Sequence, residues 1–318
     1  MRNNPPVSVL MPAYNTEKYI AEAIDSVLKQ NLQVFELIIV DDGSTDGTAE
    51  VIKKYQDRDS RIKYFYQPNS GVAAARNRCI AEATGKYLTF LDSDDWWEPV
   101  FLEKMLSPLE QDKKVNFVYS FYRSVYPDGR TEYGSAGKKE GRFGVFVHKQ
   151  TEIRFPFLVG CFIIRHDFLK QSGVVFDRDI YISEDLGWFM KLLSMTEAKC
   201  VPEYLLNYRQ NDSSLTHKDF LPDKWAGTVK IFGYALPYVQ KYYPEIGKEY
   251  YHLWNYKAYR FILSLLKKGC FAAAEKYISI FEKQLRCFSE GNGRLNDRLK
   301  CRLILLNNRL LWRLMRKI

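Results

Sequence analysis

Three carboxylates crowd one short stretch of this chain. In KYLTFLDSDDWW, from Lys86 to Trp97, residues Asp92, Asp94 and Asp95 fall within four positions. They follow Tyr87-Leu88-Thr89-Phe90-Leu91, an apolar run of β-formers that reads as a buried central strand. Crowded carboxylates repel one another and lose hydration, and a hard divalent cation such as Mg2+ or Mn2+ relieves both problems. Such cations take only one or two carboxylates and complete their shell with water and substrate phosphates. The plain alternative is a solvated acidic turn that caps the next helix.

Other groups suit related chemistry. Asp41-Asp42-Gly43 follows the run ELIIV, and its carboxylates can accept hydrogen bonds from a base or a ribose. Tyr14 offers a ring for stacking. Arg76 offers a guanidinium for a base or a phosphate oxygen. Glu184-Asp185 opens an apolar helix beside Trp188. Asp185 has the type and setting of a general base, because partial burial lifts a carboxyl toward working pH; the plain reading is a pair of acids favouring the helix dipole. His217 is one of four histidines and is either a metal ligand, a phosphate contact or a bystander.

These groups need elements to bring them together. Residues 7–12, 36–40, 62–67 and the run from 86 read as strands, with helices expected over 17–30, to Tyr55 and 71–85 between them. Thr16 and Ser183 are plausible helix caps. Short-linked strand–helix alternation predicts an α/β fold with a mostly parallel sheet flanked by helices. Right-handed crossovers then put Tyr14-Asn15, Asp41-Asp42 and Asp92 to Asp95 on one sheet edge, where open α/β sheets bind ligands. No Gly-x-Gly-x-x-Gly and no phosphate-loop motif occurs, so phosphate charge must be met by metal and side chains. Further on, a helix is expected over 98–110, strands over 117–126, 157–165 and 199–209, and a loop or hairpin over the cleft at 127–150. Four helical segments follow from residue 223, so residues 1–220 and 221–318 read as separate regions.

Composition narrows the class. The 318 residues are 46% hydrophobic and 15% aromatic, enough for a sizeable core. The six cysteines lie far apart with no Cys-x-x-Cys, against a zinc site or a disulfide framework. Net charge is +9, yet residues 294–318 carry eight Lys/Arg and one acid. The rest is nearly neutral, which argues against a nucleic-acid binder. Wound as a helix, this tail sets Arg294, Arg298, Arg302, Arg309, Arg313 and Arg316 on one arc, beside an arc of leucines. That pattern suits either peripheral contact with an anionic bilayer or a terminal helix with a solvated basic face. No apolar run reaches the roughly 20 residues of a membrane span, and the first residues read as a strand rather than a secretory leader. A cytoplasmic location, peripheral on the inner face of the plasma membrane if the tail binds lipid, is the expectation.

The segments VSVLMPAYN, ELIIVDDGSTDGT, GVAAARNRCIAEATGKYLTFLDSDD and ISEDLGWFMKLL, followed by NYRQNDSSLTH, resemble family 2 glycosyltransferases of the GT-A fold. They run in order over roughly residues 5–217; the last hundred residues carry no such match. The resemblance implies a metal-dependent, inverting transfer of a hexosyl or N-acetylhexosaminyl group from a nucleotide-sugar donor, usually UDP-linked. The acceptor would be a saccharide or lipid-linked saccharide of a surface polysaccharide or glycolipid. By the same resemblance, Pro12, Ala13 and Tyr14 line the base pocket. Asp42 bonds the base with Asp41 beside it, and Arg76 sits at the nucleotide. Asp92 meets the ribose or a water of the metal's shell, Asp94 of the DXD motif binds Mn2+ or Mg2+, and Asp185 deprotonates the acceptor. His217 and Arg209 match a less fixed part of the pattern, with His217 carried as a second metal ligand. The Gln-x-x-Arg-Trp motif of processive members is missing, which implies single addition. Two alternatives stay open: a nucleotidyltransferase on a related sheet, and a catalytically inactive sugar-nucleotide-binding scaffold subunit.

Overall fold

A computed structural model describes residues 6–134, 137–148, 152–210, 221–291, 294–306 and 312. The chain forms two compact units. The first comprises Met1–Phe146, Phe155–Arg178 and Glu184–Lys218; the second comprises Val147–Arg154, Asp179–Ser183 and Asp219–Ile318.

In the first unit the elements run β1 (Val7–Ala13), α1 (Ile20–Leu28), β2 (Phe35–Asp41), α2 (Thr48–Gln56), β3 (Ile62–Tyr66), α3 (Val72–Glu82) and β4 (Tyr87–Phe90). Then come β5 (Trp96–Trp97), α4 (Phe101–Gln111), β6 (Phe117–Val125) and β7 (Thr131–Tyr133). The second unit's β8 (Val147–His148) and β9 (Glu152–Ile153) pair with each other. The first unit resumes with β10 (Phe162–Arg165), α5 (His166–Ser172), α6 (Glu184–Met195) and β11 (Ala198–Arg209).

The main sheet has the order β3-β2-β1-β4-β10-β6-β11-β5, with β7 paired to β6. β1, β2 and β4 are buried along their whole length, as near-continuous apolar runs covered on both faces should be. β1 pairs parallel with β2 and β4, with Ala13 level with Asp41 and Leu10 level with Phe90. That register ends the three strands together on one edge. Burying each of their Val, Leu and Ile side chains is worth about 1.5–3 kcal/mol. A charge lies in the middle of this core. Glu36 in β2 is satisfied by Ser8, by Lys63 and by the Thr84 amide at 2.7 Å, so it ties three strands rather than costing an unpaired charge.

The sheet is mixed. β10 lies antiparallel to both β4 and β6. Between β7 and β10 the described residues hold only 3-10 turns and two-residue strands. No helical crossover delivers β10, and a parallel neighbour needs one. The strand expected from Lys86 to Trp97 also divides. It stops at Phe90, turns where the Asp95 amide donates to the Asp92 carbonyl at 3.0 Å, and resumes as β5 at the far end of the sheet, against β11. The expected hairpin after β6 is present as β6–β7, with Gly129 at φ 82° in its turn. Neither expected cap holds. α1 begins at Ile20 and the Thr16 hydroxyl is buried without a partner among the described residues, while Ser183 takes φ 68°, left-handed rather than the extended backbone of a capping residue.

The second unit is helical after β9: α7 (Pro222–Trp225), α8 (Gly227–Tyr242), α9 (Gly247–Lys267), α10 (Phe271–Ile280), α11 (Glu282–Glu290) and α12 (Leu295–Leu305). Its core holds Tyr259, Ile262, Leu266, Tyr277, Leu285 and Phe288, with Cys301, Ile304 and Trp312 from the C-terminal stretch.

Candidate active site

The parallel register of β2-β1-β4 places the loops after Ala13, Asp41 and Phe90 side by side. Two of them are stitched together. The Asn15 amide donates to Ser44 Oγ at 3.0 Å, and the Thr45 amide donates back to Asn15 Oδ1 at 2.8 Å. Asn15 stands at φ 53°, a left-handed position that asparagine tolerates. Tyr14 projects from this loop with its side chain about half exposed. Pro12 and Ala13 are buried in the strand, so of the three residues expected around a base, Tyr14 alone presents a free face.

Asp41 and Asp42 are buried and committed to their own scaffold. Asp41 accepts from the Ser44 amide at 2.8 Å and the Tyr64 hydroxyl at 3.0 Å. Asp42 accepts from Gln67 Nε2 at 2.6 Å and from the amides of Ser70 and Gly71 at 2.9 and 2.8 Å. The segment 67–71 is thereby folded around the Asp42 carboxylate. Gly43 allows the closeness: it stands at φ 76°, and a Cβ there would meet the Asn69 amide nitrogen at 2.6 Å.

At the end of β4, Asp92 and Asp94 are partly exposed and Asp95 is buried. Burial, reinforced by the charges of Asp94 and Asp92, holds the Asp95 carboxyl well above the usual carboxylate range. Arg209, at the end of β11, clamps this turn. Its amide donates to Asp95 Oδ1 and its Nε to the Asp94 carbonyl, both at 2.8 Å. Its guanidinium lies 4.5 Å from the Trp96 ring centre and 4.9 Å from that of Tyr19, and reaches Glu22 on α1.

Arg76 is the hub. α3 carries Ala73, Ala74 and Ala75 against the sheet, and these small residues draw the helix in so closely that Arg76 is 5% exposed. Nη1 donates to Glu184 Oε1 at 2.6 Å, and Nη2 donates to Asp92 Oδ1 at 3.0 Å and Oδ2 at 3.3 Å. The Phe176 ring centre lies 5.5 Å from the guanidinium carbon, and Nε has no hydrogen-bond partner among the described residues. Burial opposes the charge on Arg76, yet Asp92, Glu184 and Asp185 outweigh it and hold the guanidinium ionised.

One cation thus faces three carboxylates, and the surplus negative charge falls on α6. Glu184 is pushed up to about 7 by burial and by Asp185, against the pull of Arg76. Asp185 is raised as well, by burial first and by Asp92 further down; its Oδ1 accepts from the Leu186 amide at 2.7 Å. A carboxyl lifted toward neutrality at a sheet edge has the properties of a general base.

Among the described residues no three His, Cys, Asp or Glu side chains gather as a protein-only metal cage. Mg2+ and Mn2+ do not require one, because they bind through one or two carboxylates plus substrate oxygens. The under-compensated charge around Asp95 suits a cation too. Asp94, with Asp92 beside it, supplies hard oxygen donors there. His217 lies outside the described residues.

Apart from His217, the candidate residues therefore lie within one unit, and beyond the burial of Pro12 and Ala13 two further features differ from the sequence reading. Arg76, expected at the nucleotide, is buried with its guanidinium on Asp92 and Glu184, and Asp42, expected on the base, organises the 67–71 segment. Glu184, Asp95, Gln67 and Glu22 make contacts here that the sequence reading does not assign to the site, and Arg209, which it leaves without a fixed role, clamps the acidic turn. The alanine run before Arg76 was a signal of its burial; nothing local signals its pairing with Glu184.

Residues 8–173 match the model of Glycosyl transferase family 2. The chain is 32% identical over 224 residues to the uncharacterized glycosyltransferase EpsJ of Bacillus subtilis (strain 168), covering 69% of this chain and 65% of EpsJ. It is 32% identical over 235 residues to TuaG of the same organism, a proposed teichuronic acid biosynthesis glycosyltransferase, covering 72% of this chain and 86% of TuaG. It spans 38% of a longer uncharacterized glycosyltransferase of Rickettsia felis. In fold it is similar to S. aureus TarS 1–349 in complex with UDP-GlcNAc, at TM-score 0.71 and 20% identity, covering 98% of this chain and 90% of that one.

Proposed function

The chain belongs to glycosyltransferase family 2, and from that premise we propose that it moves a hexosyl or N-acetylhexosaminyl group from a UDP-sugar to a saccharide or lipid-linked saccharide hydroxyl, with inversion, in surface-polysaccharide synthesis. The observation that carries this reading is the bridge from Asp92 through Arg76 to Glu184. It joins the donor-side acid at the end of β4 to the acid adjoining the candidate base, Asp185. TuaG's description and the UDP-GlcNAc in the TarS complex support the substrate class.

Tyr14 stacks on the donor base, and the loops held by Asp41 and Asp42 close around the nucleoside. Asp94, with Asp92 beside it, would hold a divalent cation, Mn2+ or Mg2+, which would supply Lewis-acid compensation of the diphosphate's charge. Asp185 accepts the proton of the acceptor hydroxyl as that oxygen attacks the anomeric carbon, and the bond to the diphosphate oxygen breaks on the opposite face. One base across the ring from the leaving group gives inversion without a covalent enzyme intermediate. Arg76 keeps Asp92 and α6 in register while the substrates exchange.

The test is UDP release from a panel of UDP-sugars with Mn2+, with and without saccharide acceptors. Wild type turns over at least one donor, with the opposite anomer in the product. Asp185→Asn falls by about 10²–10⁴ while retaining the donor. Full activity in Asp185→Asn refutes the base, and no turnover of any donor despite UDP-sugar binding by wild type favours an inactive scaffold.

A further inference from the structure

α12 is apolar on two opposite faces. Cys301 and Ile304 point into the core of the second unit, where Cys301 Sγ donates to the Leu285 carbonyl at 3.3 Å and Asp297 accepts from the Tyr259 hydroxyl at 2.9 Å. The helix is docked by that face. Its outer face carries Leu295, Leu299, Leu303 and Leu306, which are 67%, 46%, 38% and 65% exposed. At 100° per residue these four leucines fall within one quarter of the helix circumference. Single exposed leucines are ordinary, whereas four in one stripe mark a surface that is covered by something.

The flanks identify the cover. Arg298 and Arg302 border the stripe on one side and Lys300 on the other, with Arg294 at its start. The only acid of α12, Asp297, is turned to the docked face by Tyr259. In sequence the same alternation continues through Arg309, Leu310, Arg313 and Leu314, and residues 294–318 carry eight Lys/Arg to one acid. A leucine ridge between cationic borders matches a bilayer interface with anionic headgroups, where leucines enter the acyl boundary and nearby Lys or Arg side chains are drawn to the headgroup charge. No helix of the described residues is long and apolar enough to cross a membrane, so the fit is to the surface.

We propose that the outer face of α12, through Leu295, Leu299, Leu303 and Leu306, seats the protein on an anionic bilayer. This stands apart from the reaction proposed above, because binding to lipid is read without sugar transfer.

The test is co-sedimentation of the full chain with vesicles of phosphatidylcholine, alone or mixed with phosphatidylglycerol, comparing wild type with Leu299→Glu/Leu303→Glu. Both leucines are exposed, so the variant keeps its fold, checked by its melting temperature. Wild type should bind the mixed vesicles at least about tenfold more tightly than phosphatidylcholine alone or than the variant does, and rising salt should weaken it. Equal binding by wild type and variant, or none by wild type, overturns the proposal. So does a dimer in light scattering that the double substitution dissolves without any vesicle binding, because the stripe's occupant is then a second copy of the chain.

Discussion

Arg76 Nη1 donates to Glu184 Oε1 at 2.6 Å, although the two residues are 108 positions apart in the chain. The other terminal nitrogen of the same guanidinium holds Asp92. A planar fork serves two carboxylates at once, and a lysine ammonium is a single point charge that cannot span them. We expect Arg76→Lys to keep the fold, because the positive charge remains, and to lower kcat/KM by about 10- to 100-fold (about 1.4–2.7 kcal/mol). Steady-state kinetics beside a melting curve checks this. Unchanged kcat/KM would mean that the bridge only supports the fold.

The acid limb of activity follows from the same cluster. Asp185 works as a base only when ionised, so kcat/KM must fall as pH drops through its value. With Glu184 pushed up to about 7 and Asp185 raised beside it, the limb should lie closer to neutrality than the ordinary carboxylate value of about 4. Stability runs the other way. A carboxyl raised by folding binds its proton more tightly folded than unfolded. This contribution is fully present below the ordinary carboxylate range and is lost as pH rises toward about 7. Glu184→Gln removes one negative charge from the pair, so the limb should move to lower pH while the plateau rate falls. A pH–rate profile for the variant that overlays wild type would remove Glu184 from the network.

How much of this was legible beforehand differs residue by residue. β1, β2 and β4 were visible as apolar runs, and each ends in polar residues that cannot continue a buried strand, so the shared edge could be anticipated from Ala13, Asp41 and Leu91. The Arg76–Glu184 pair could not, because periodicity reports which face of a helix is buried and not which distant side chain meets it. Ala73, Ala74 and Ala75 announced a close approach of α3 to the sheet without naming its partner. The antiparallel entry of β10 was hidden for a related reason: a fully buried strand such as Phe162–Arg165 reads the same in either direction. The break after Phe90 was masked by Trp96-Trp97, whose β-propensity belongs to a different strand.

Asp95 offers a stability test. Its carboxyl is buried beside Asp94 and Asp92 and is held well above the usual range. The fold therefore favours the protonated form, and ionisation at high pH costs stability. Asparagine keeps an oxygen to accept from the Arg209 amide and carries no charge. Without added divalent ions, Asp95→Asn should raise the melting temperature by about 2–5 °C at pH 8. The gain should shrink toward zero in acid, where Asp95 is already neutral. A drop in melting temperature at pH 8 would show that the negative charge is compensated in the folded protein.

Metal dependence can be separated from catalysis. A cation that binds the folded chain and not the unfolded one raises its stability by mass action. Asp94 and Asp92 are partly exposed beside the buried Asp95 carboxyl, so a divalent ion has oxygens to bind and a crowded acidic cluster to neutralise. We expect Mn2+ or Mg2+ together with UDP to raise the melting temperature of wild type, and EDTA to reverse the rise and abolish transfer. Asp94→Ala should lose the metal-dependent part of the shift while keeping the wild-type melting temperature in EDTA within about 2 °C, as expected for a partly exposed side chain. A shift of equal size in Asp94→Ala would move the cation away from this carboxylate, and transfer that survives EDTA would leave the diphosphate charge to side chains alone.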